Sequence, residues 1–173
     1  FKKFKKVGLS ISVDGVGRLF NYIRSGRDYH LSAVEESIPL FQQLDNSNLT
    51  IYPTIHAYNV FDIENIYDWS QKFNVDVSFR HILTFPRYLQ LGVLPRDLRT
   101  LAKKRLEKFL GKLGGSKQLY GEIEILLKAL DSELDSECFA QFVHYTRIMD
   151  NYHQIHLEEI VPEFKGILDL NTV

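Results

Sequence analysis

The sequence predicts an α/β fold: three parallel strands interleaved with helices, followed by an all-helical tail. Three observations predict it. Short apolar runs alternate with helical patterns as far as Leu83. Each run is bounded by charged or turn-forming residues. From Pro95 onward only helical periodicity remains. Strands alternating with helices imply βαβ units and a parallel sheet. With 173 residues, 45% of them hydrophobic and 13% aromatic, the chain can bury a real core.

Phe1 to Lys6 reads as the last turns of a helix, its lysines favoured near the negative end. Val7 to Val13 is an apolar run ending at Asp14-Gly15, and reads as a strand buried on both faces. Leu19 to Arg24 is a short helical stretch, broken by Ser25-Gly26-Arg27-Asp28. A helix runs from Ser32 to about Leu44, with Ser32 and Glu35 placed for a capping box. Asp45 to Asn48 is a turn. Leu49 to His56 is the second strand, and Pro53 marks it as an edge or bulge. Asp62 is placed to cap a helix to about Phe73, with Ile66, Trp69 and Phe73 on one face. Val75 to Leu83 is the third strand. Three buried parallel strands make an incomplete sheet, so further strands are expected before Phe1.

Thr84 to Leu94 reads as a loop. Pro95 then suits a first helical position. Arg96 to Leu113 is amphipathic and stops at Gly114-Gly115. Ser116 is placed to cap a helix to about Leu134, and Ser136 one to about Tyr152. A last short helix spans His156 to about Leu168. The natural division is therefore 1–94 and 95–173.

A formal net charge of -1 argues against nucleic acid and anionic membranes as partners. No run approaches the roughly 18 apolar residues of a membrane span. The expected place is the cytoplasm. Cys138 is the single cysteine. It cannot form an internal disulfide, nor hold an iron–sulfur cluster or a structural zinc. The chain starts at Phe1 and reads as the carboxyl-terminal part of a longer protein.

In parallel α/β folds, ligands gather at the carboxyl ends of strands. Ser12 and Asp14 sit there, two apart and so on one face. A hydroxyl and a carboxylate so placed can bind a ribose or an amino group; alternatively they bond a neighbouring strand and form the turn. Arg24 could grip a carboxylate through two parallel hydrogen bonds, or be an exposed helical arginine. Gly15-Val16-Gly17 lacks the third glycine of a dinucleotide fingerprint and reads as a tight turn. If the strands are parallel, His56 and Asn59 after the second, and His81 and Thr84 at the end of the third, share that rim. His153 and His156 read as solvated surface. Phe85 to Leu89 either lines a substrate entrance or packs the tail onto the sheet. The basic stripe from Arg99 to Lys112, broken by Glu107, reads as a solvated helix face.

Ile11-Ser12-Val13-Asp14-Gly15, followed by Tyr22-Ile23-Arg24, resembles the fourth-strand segment of radical S-adenosylmethionine enzymes, in particular twitch-domain-containing radical S-adenosylmethionine proteins. Asn59, the segment Pro86-Arg87-Tyr88-Leu89 and the helix start Leu94-Pro95 extend the likeness, which covers roughly Phe1 to Leu113. The resemblance implies half of a partial, TIM-like (β/α) barrel in 1–94, with a helical extension over 95–173. It implies that Ser12 and Arg24 help hold S-adenosylmethionine, with Asp14 and Asn59 on the same rim. It also implies a four-iron, four-sulfur cluster whose Cys-x-x-x-Cys-x-x-Cys ligands are not in this chain, and an electron donor protein such as flavodoxin or ferredoxin. An auxiliary twitch cluster would need cysteines the tail lacks. The full-length protein would then be an enzyme abstracting hydrogen from an unknown substrate, and this chain alone would be inactive. The alternative is a non-catalytic α/β binding or protein-interaction module.

Overall fold

The protein is described by a computed structural model covering residues 3–24, 30–134 and 136–168. Strand β1 (Val7–Ile11) leads through a short turn into α1 (Arg18–Ile23) and then α2 (Leu31–Gln42). Strands β2 (Ser47–Ile51) and β3 (Thr54–Ile55) follow, then α3 (Ile63–Lys72), β4 (Asp76–Val77) and β5 (His81–Ile82). The sheet order is β1-β2-β4, with β3 and β5 pairing separately, and every pairing is parallel.

The predicted second and third strands each split in two. Tyr52 N–H closes the β1–β2 ladder on Ile11 O at 2.8 Å, and Pro53, which has no donor to give, then breaks it. In the third strand the break falls at 78–80. There buried Glu122 accepts Ser78 Oγ at 2.8 Å and Phe79 N at 2.7 Å, standing in for ladder partners.

The first strand is not buried on both faces. Leu49, Ile51 and Val77 join Val34 and Ile38 of α2, and Ile66 and Trp69 of α3, in one core. Trp69 Nε1 donates to Glu35 at 2.8 Å and ties the two helices together. The opposite face carries Gly8, Ser10, Asn48 and Asp76, all exposed. These small and polar residues need no cover, so alternation replaces continuous burial. A cleft of about 460 Å³ lies against this face, lined by Asn48, Thr50, Tyr52, Gln71, Asp76 and Gln118 among others.

The tail comprises α4 (Arg96–Leu110), α5 (Lys117–Ala129), α6 (Ser136–His153) and α7 (Leu157–Ile160). Leu98, Ala102, Leu106 and Phe109 form the buried stripe of α4. Phe109 meets Tyr67 and Phe79 at ring distances of 5.3 and 6.4 Å, docking the tail on the sheet layer. A buried phenylalanine of this kind contributes about 2–3 kcal/mol. Ser116 caps α5 by accepting Leu119 N.

Several local expectations are corrected. Residues 3–6 form a turn and bend, not helix. His30, not Ser32, is the N-cap of α2: the helix already begins at Leu31, and the Glu35 carboxylate accepts Trp69 Nε1 instead of closing a capping box. Asp62 stands at the N-cap of α3 without capping it; its oxygens accept Val16 N at 2.8 Å and Asn65 Nδ2 at 2.6 Å. The last helix is cut into α7 and a 3-10 turn at Pro162–Phe164. Arg99 is buried rather than solvated. It clamps Leu94 O and Ser132 O at 3.0 Å each, while Lys103, Arg105 and Lys112 pair with Asp131, Glu163 and Glu64. The break expected at Ser25 to Asp28 lies outside the described residues, and Ser136, expected as a cap, is instead the first residue of α6.

Candidate functional site

The residues that end β1 and β3 converge. Just past β1 the backbone delivers Ser12 and Asp14, then turns at Gly15-Val16-Gly17. Gly17 adopts φ 59°, a conformation that favours glycine. A Cβ on Gly15 would come within 2.9 Å of Leu19 Cγ. The turn is held by Asp62, which receives Val16 N–H. This glycine pair therefore serves a tight turn, as its spacing suggests. Burial pushes the Asp62 carboxyl up, opposed by the bonds from Asn65 and Val16.

Asp14 is the hinge of the cluster. It is buried, and its Oδ1 accepts Thr54 N–H from β3 at 2.7 Å. Its Oδ2 accepts Arg24 Nε at 2.7 Å and pairs with Arg24 Nη2 at 2.7 Å. Arg24 follows α1 directly, so the helix sets its position and Asp14 sets its orientation. A third of its side chain stays exposed. Nη1 has no protein partner among the described residues.

Asn59 is fully buried and cross-braces the same loops. Its Nδ2 donates to Asp14 O and to Thr54 O, both at 2.9 Å, while its Oδ1 accepts His56 N–H at 2.8 Å. Thus Asn59 fixes backbone rather than facing a ligand. The structure brings Asp14, Arg24 and Asn59 into one bonded unit. Ser12, half-buried, has no hydrogen bond among the described residues and leaves its hydroxyl available.

His56 belongs to this unit more closely than its sequence context suggests. It is 6% exposed, and its Nδ1 accepts Tyr58 N–H at 3.3 Å. Burial pushes its pKa down to about 4; Asp14 pulls the other way and Arg24 adds to the lowering. The imidazole is neutral at physiological pH. A signal was present in the sequence: His56 and Asn59 lie three apart in the turn that closes a strand.

The end of the third strand stays apart. His81 is exposed and meets the edge of Tyr52 at 5.4 Å, with Arg80 over the same ring. Thr84 is exposed, and its carbonyl accepts Gln90 Nε2 at 2.5 Å. No hydrogen bond joins either to Asp14, Arg24, His56 or Asn59 among the described residues. The loop that follows reaches the rim through Leu89 O, which accepts Ala57 N–H at 2.9 Å, while the Tyr88 ring packs at a tilt against Tyr145 of α6. Phe85 is 82% exposed.

Two other polar clusters lie nearby. Asp150 of α6 is buried and accepts Tyr22 Oη at 2.8 Å and Leu157 N at 2.9 Å, with His156 Nδ1 at 3.3 Å. Tyr58 Oη and Thr146 Oγ1 lie 2.8 Å apart. Burial raises both tyrosine hydroxyls well above their ordinary range. His153 packs over Tyr22 at 5.1 Å with its Nε2 buried and unbonded, so it is not the solvated residue expected. The second cluster lines a cleft of about 320 Å³ that includes Val16, Arg18, Asp62, Arg105 and Glu159. Its charges pair off as Arg18–Glu159 at 3.3 Å and Arg105–Glu163.

Among the described residues, no three His, Cys, Asp or Glu side chains converge to hold a metal ion. Cys138 is buried in α6. No helix among them is long and apolar enough to cross a membrane. Comparison with protein-family models, with curated proteins and with solved structures finds no match for this chain.

Proposed function

We propose that the rim formed by Ser12, Asp14, Arg24 and Asn59 binds the amino-acid and ribose parts of S-adenosylmethionine, in a radical enzyme of which this chain supplies one part. The observation that carries this reading is the Asp14–Arg24 pair at 2.7 Å, set at the carboxyl ends of parallel strands. Asp14 occupies one edge of the guanidinium and leaves Nη1 for a ligand carboxylate. Charge-assisted bonds of this type are about twice as strong as neutral ones. The Ser12 hydroxyl can donate or accept beside it. Asn59 acts on the backbone that carries Asp14, and so positions Arg24 indirectly.

The donor set therefore fits the carboxylate of an amino acid joined to a hydroxylated group. When bound and reduced, S-adenosylmethionine would supply a 5′-deoxyadenosyl radical that takes hydrogen from a substrate. The four-iron, four-sulfur cluster does not fit the described residues, which offer no ligand set for it; its cysteines belong outside this chain, as does the docking of a flavodoxin- or ferredoxin-like donor. A partial barrel for 1–94 is supported by β1 lying at the edge of its sheet, where a further strand has a place to pair.

The test uses the full-length natural protein, anaerobically supplied with iron and sulfide. It should bind S-adenosylmethionine and release 5′-deoxyadenosine on reduction. Arg24→Gln should weaken S-adenosylmethionine binding about tenfold or more; because it also removes the charged partner of buried Asp14, binding is compared at temperatures where the variant is folded. A colourless, iron-free protein indifferent to S-adenosylmethionine would replace this reading with the non-catalytic α/β binding module.

A further inference from the structure

We propose that His56 is a fixed hydrogen-bond donor of the rim, and that it selects a ligand carrying an uncharged acceptor close to the carboxylate held by Arg24. That role rests on the rim being a ligand site.

A neutral imidazole carries one donor and one acceptor. Here the acceptor is spent: Nδ1 takes Tyr58 N–H at 3.3 Å. The proton is therefore on Nε2. Nε2 has no protein partner among the described residues, although the residue is 6% exposed. Among the described residues, His153 Nε2 is the one sealed side-chain atom without a partner, so the small exposed part of His56 includes Nε2, which meets solvent and is open to an incoming acceptor. Ligand sites place such groups where a few polar contacts fix orientation.

The ring cannot easily move or change state. Its own backbone N–H is bonded to Asn59 Oδ1 at 2.8 Å, and its plane stands edge-on to Tyr58 at 5.7 Å. Burial keeps it uncharged, and the facing charges, Asp14 and Arg24, act in opposite directions. A fixed N–H accepts nothing. It rewards a hydroxyl or carbonyl oxygen, or a ring nitrogen, and rejects an ammonium in the same place. Ligands lacking the acceptor leave this donor unpaired, which is a strong basis for discrimination.

The experiment follows the histidine ring and the Arg24 guanidinium together, using protein labelled with ¹⁵N-histidine and ¹⁵N-arginine, long-range ¹H–¹⁵N spectra for the ring and one-bond ¹H–¹⁵N spectra for Arg24 Nε. S-adenosylhomocysteine is the probe. Before addition, His56 should be the Nε2–H tautomer and remain uncharged from pH 8 to pH 5. On addition, its Nε2 and Hε2 signals should shift, while those of His153, which also has an unbonded Nε2, should stay. His56→Asn, which retains an acceptor for Tyr58 N–H, should bind the probe about tenfold more weakly. An Nδ1–H tautomer overturns the proposal. So does a probe that moves the Arg24 Nε signal but leaves the His56 ring unchanged, an outcome that spares the rim itself. If neither signal moves, rim and donor fall together.

Discussion

The rim and the α1–α6 junction are both clusters of buried polar groups, and their difference lies in what they leave over. At the junction, Asp150 takes Tyr22 Oη, Leu157 N and the neighbourhood of His156, and Tyr58 meets Thr146. Its carboxylate is fully engaged within the fold. At the rim, Asp14 and Asn59 are equally occupied, but Ser12 Oγ, Arg24 Nη1 and His56 Nε2 are not. A closed network contributes stability and specificity to the fold. An open one contributes less and leaves donors without a protein partner. The His153 Nε2 is the exception at the junction: unbonded, but sealed in.

The largest expected effect breaks the closed side. Asp150→Ala strands a buried tyrosine hydroxyl and the first amide of α7, and should destabilise the protein by about 3–4 kcal/mol in urea unfolding. Probe binding at the rim should survive at temperatures where the variant is folded. If stability barely changes, the junction is not the structural member of the pair.

The next effect concerns acid. His56 is pushed from its ordinary 6.5 down to about 4. The unfolded chain therefore binds a proton that the folded chain refuses between those values. Stability should fall as pH drops through this window, by up to about 3 kcal/mol from this group. Comparing urea unfolding of the parent and His56→Asn isolates it: the variant should show the shallower loss. Equal slopes would mean that the rim histidine is not held neutral by the fold.

The smallest effect on stability belongs to Ser12→Ala, below about 0.5 kcal/mol, since no bond is lost. Its effect on probe affinity should nonetheless be several-fold. That separation, a silent change for folding and a visible one for binding, is what distinguishes an open cluster. A variant silent in both removes Ser12 from the rim.

Much of the scaffold was legible because it is local. Short apolar runs and period-3.6 patterns placed the strands and most helices, Pro53 announced its break, and Ser116 its cap. Ser12, Asp14, Arg24 and Asn59 were legible as rim candidates because parallel strands bring their carboxyl ends together. Their division of labour was not. Asp14 could have faced a ligand as readily as Arg24, and Asp62 and Glu35 were assigned caps they do not make. These carboxylates went instead to Val16, Asn65 and Trp69, partners supplied from elsewhere in the fold.

By itself, the sequence determined the alternation of strand and helix, the helical tail and the set of polar residues near strand ends. These follow from side-chain periodicity and backbone chemistry within a few residues. Only the tertiary structure decided that one sheet face stays polar and open, that Arg99 is a buried clamp, and that His56 is left with a donor and no acceptor. Each of those depends on which distant group arrives first to satisfy a hydrogen bond, and that competition is settled by packing rather than by neighbours along the chain.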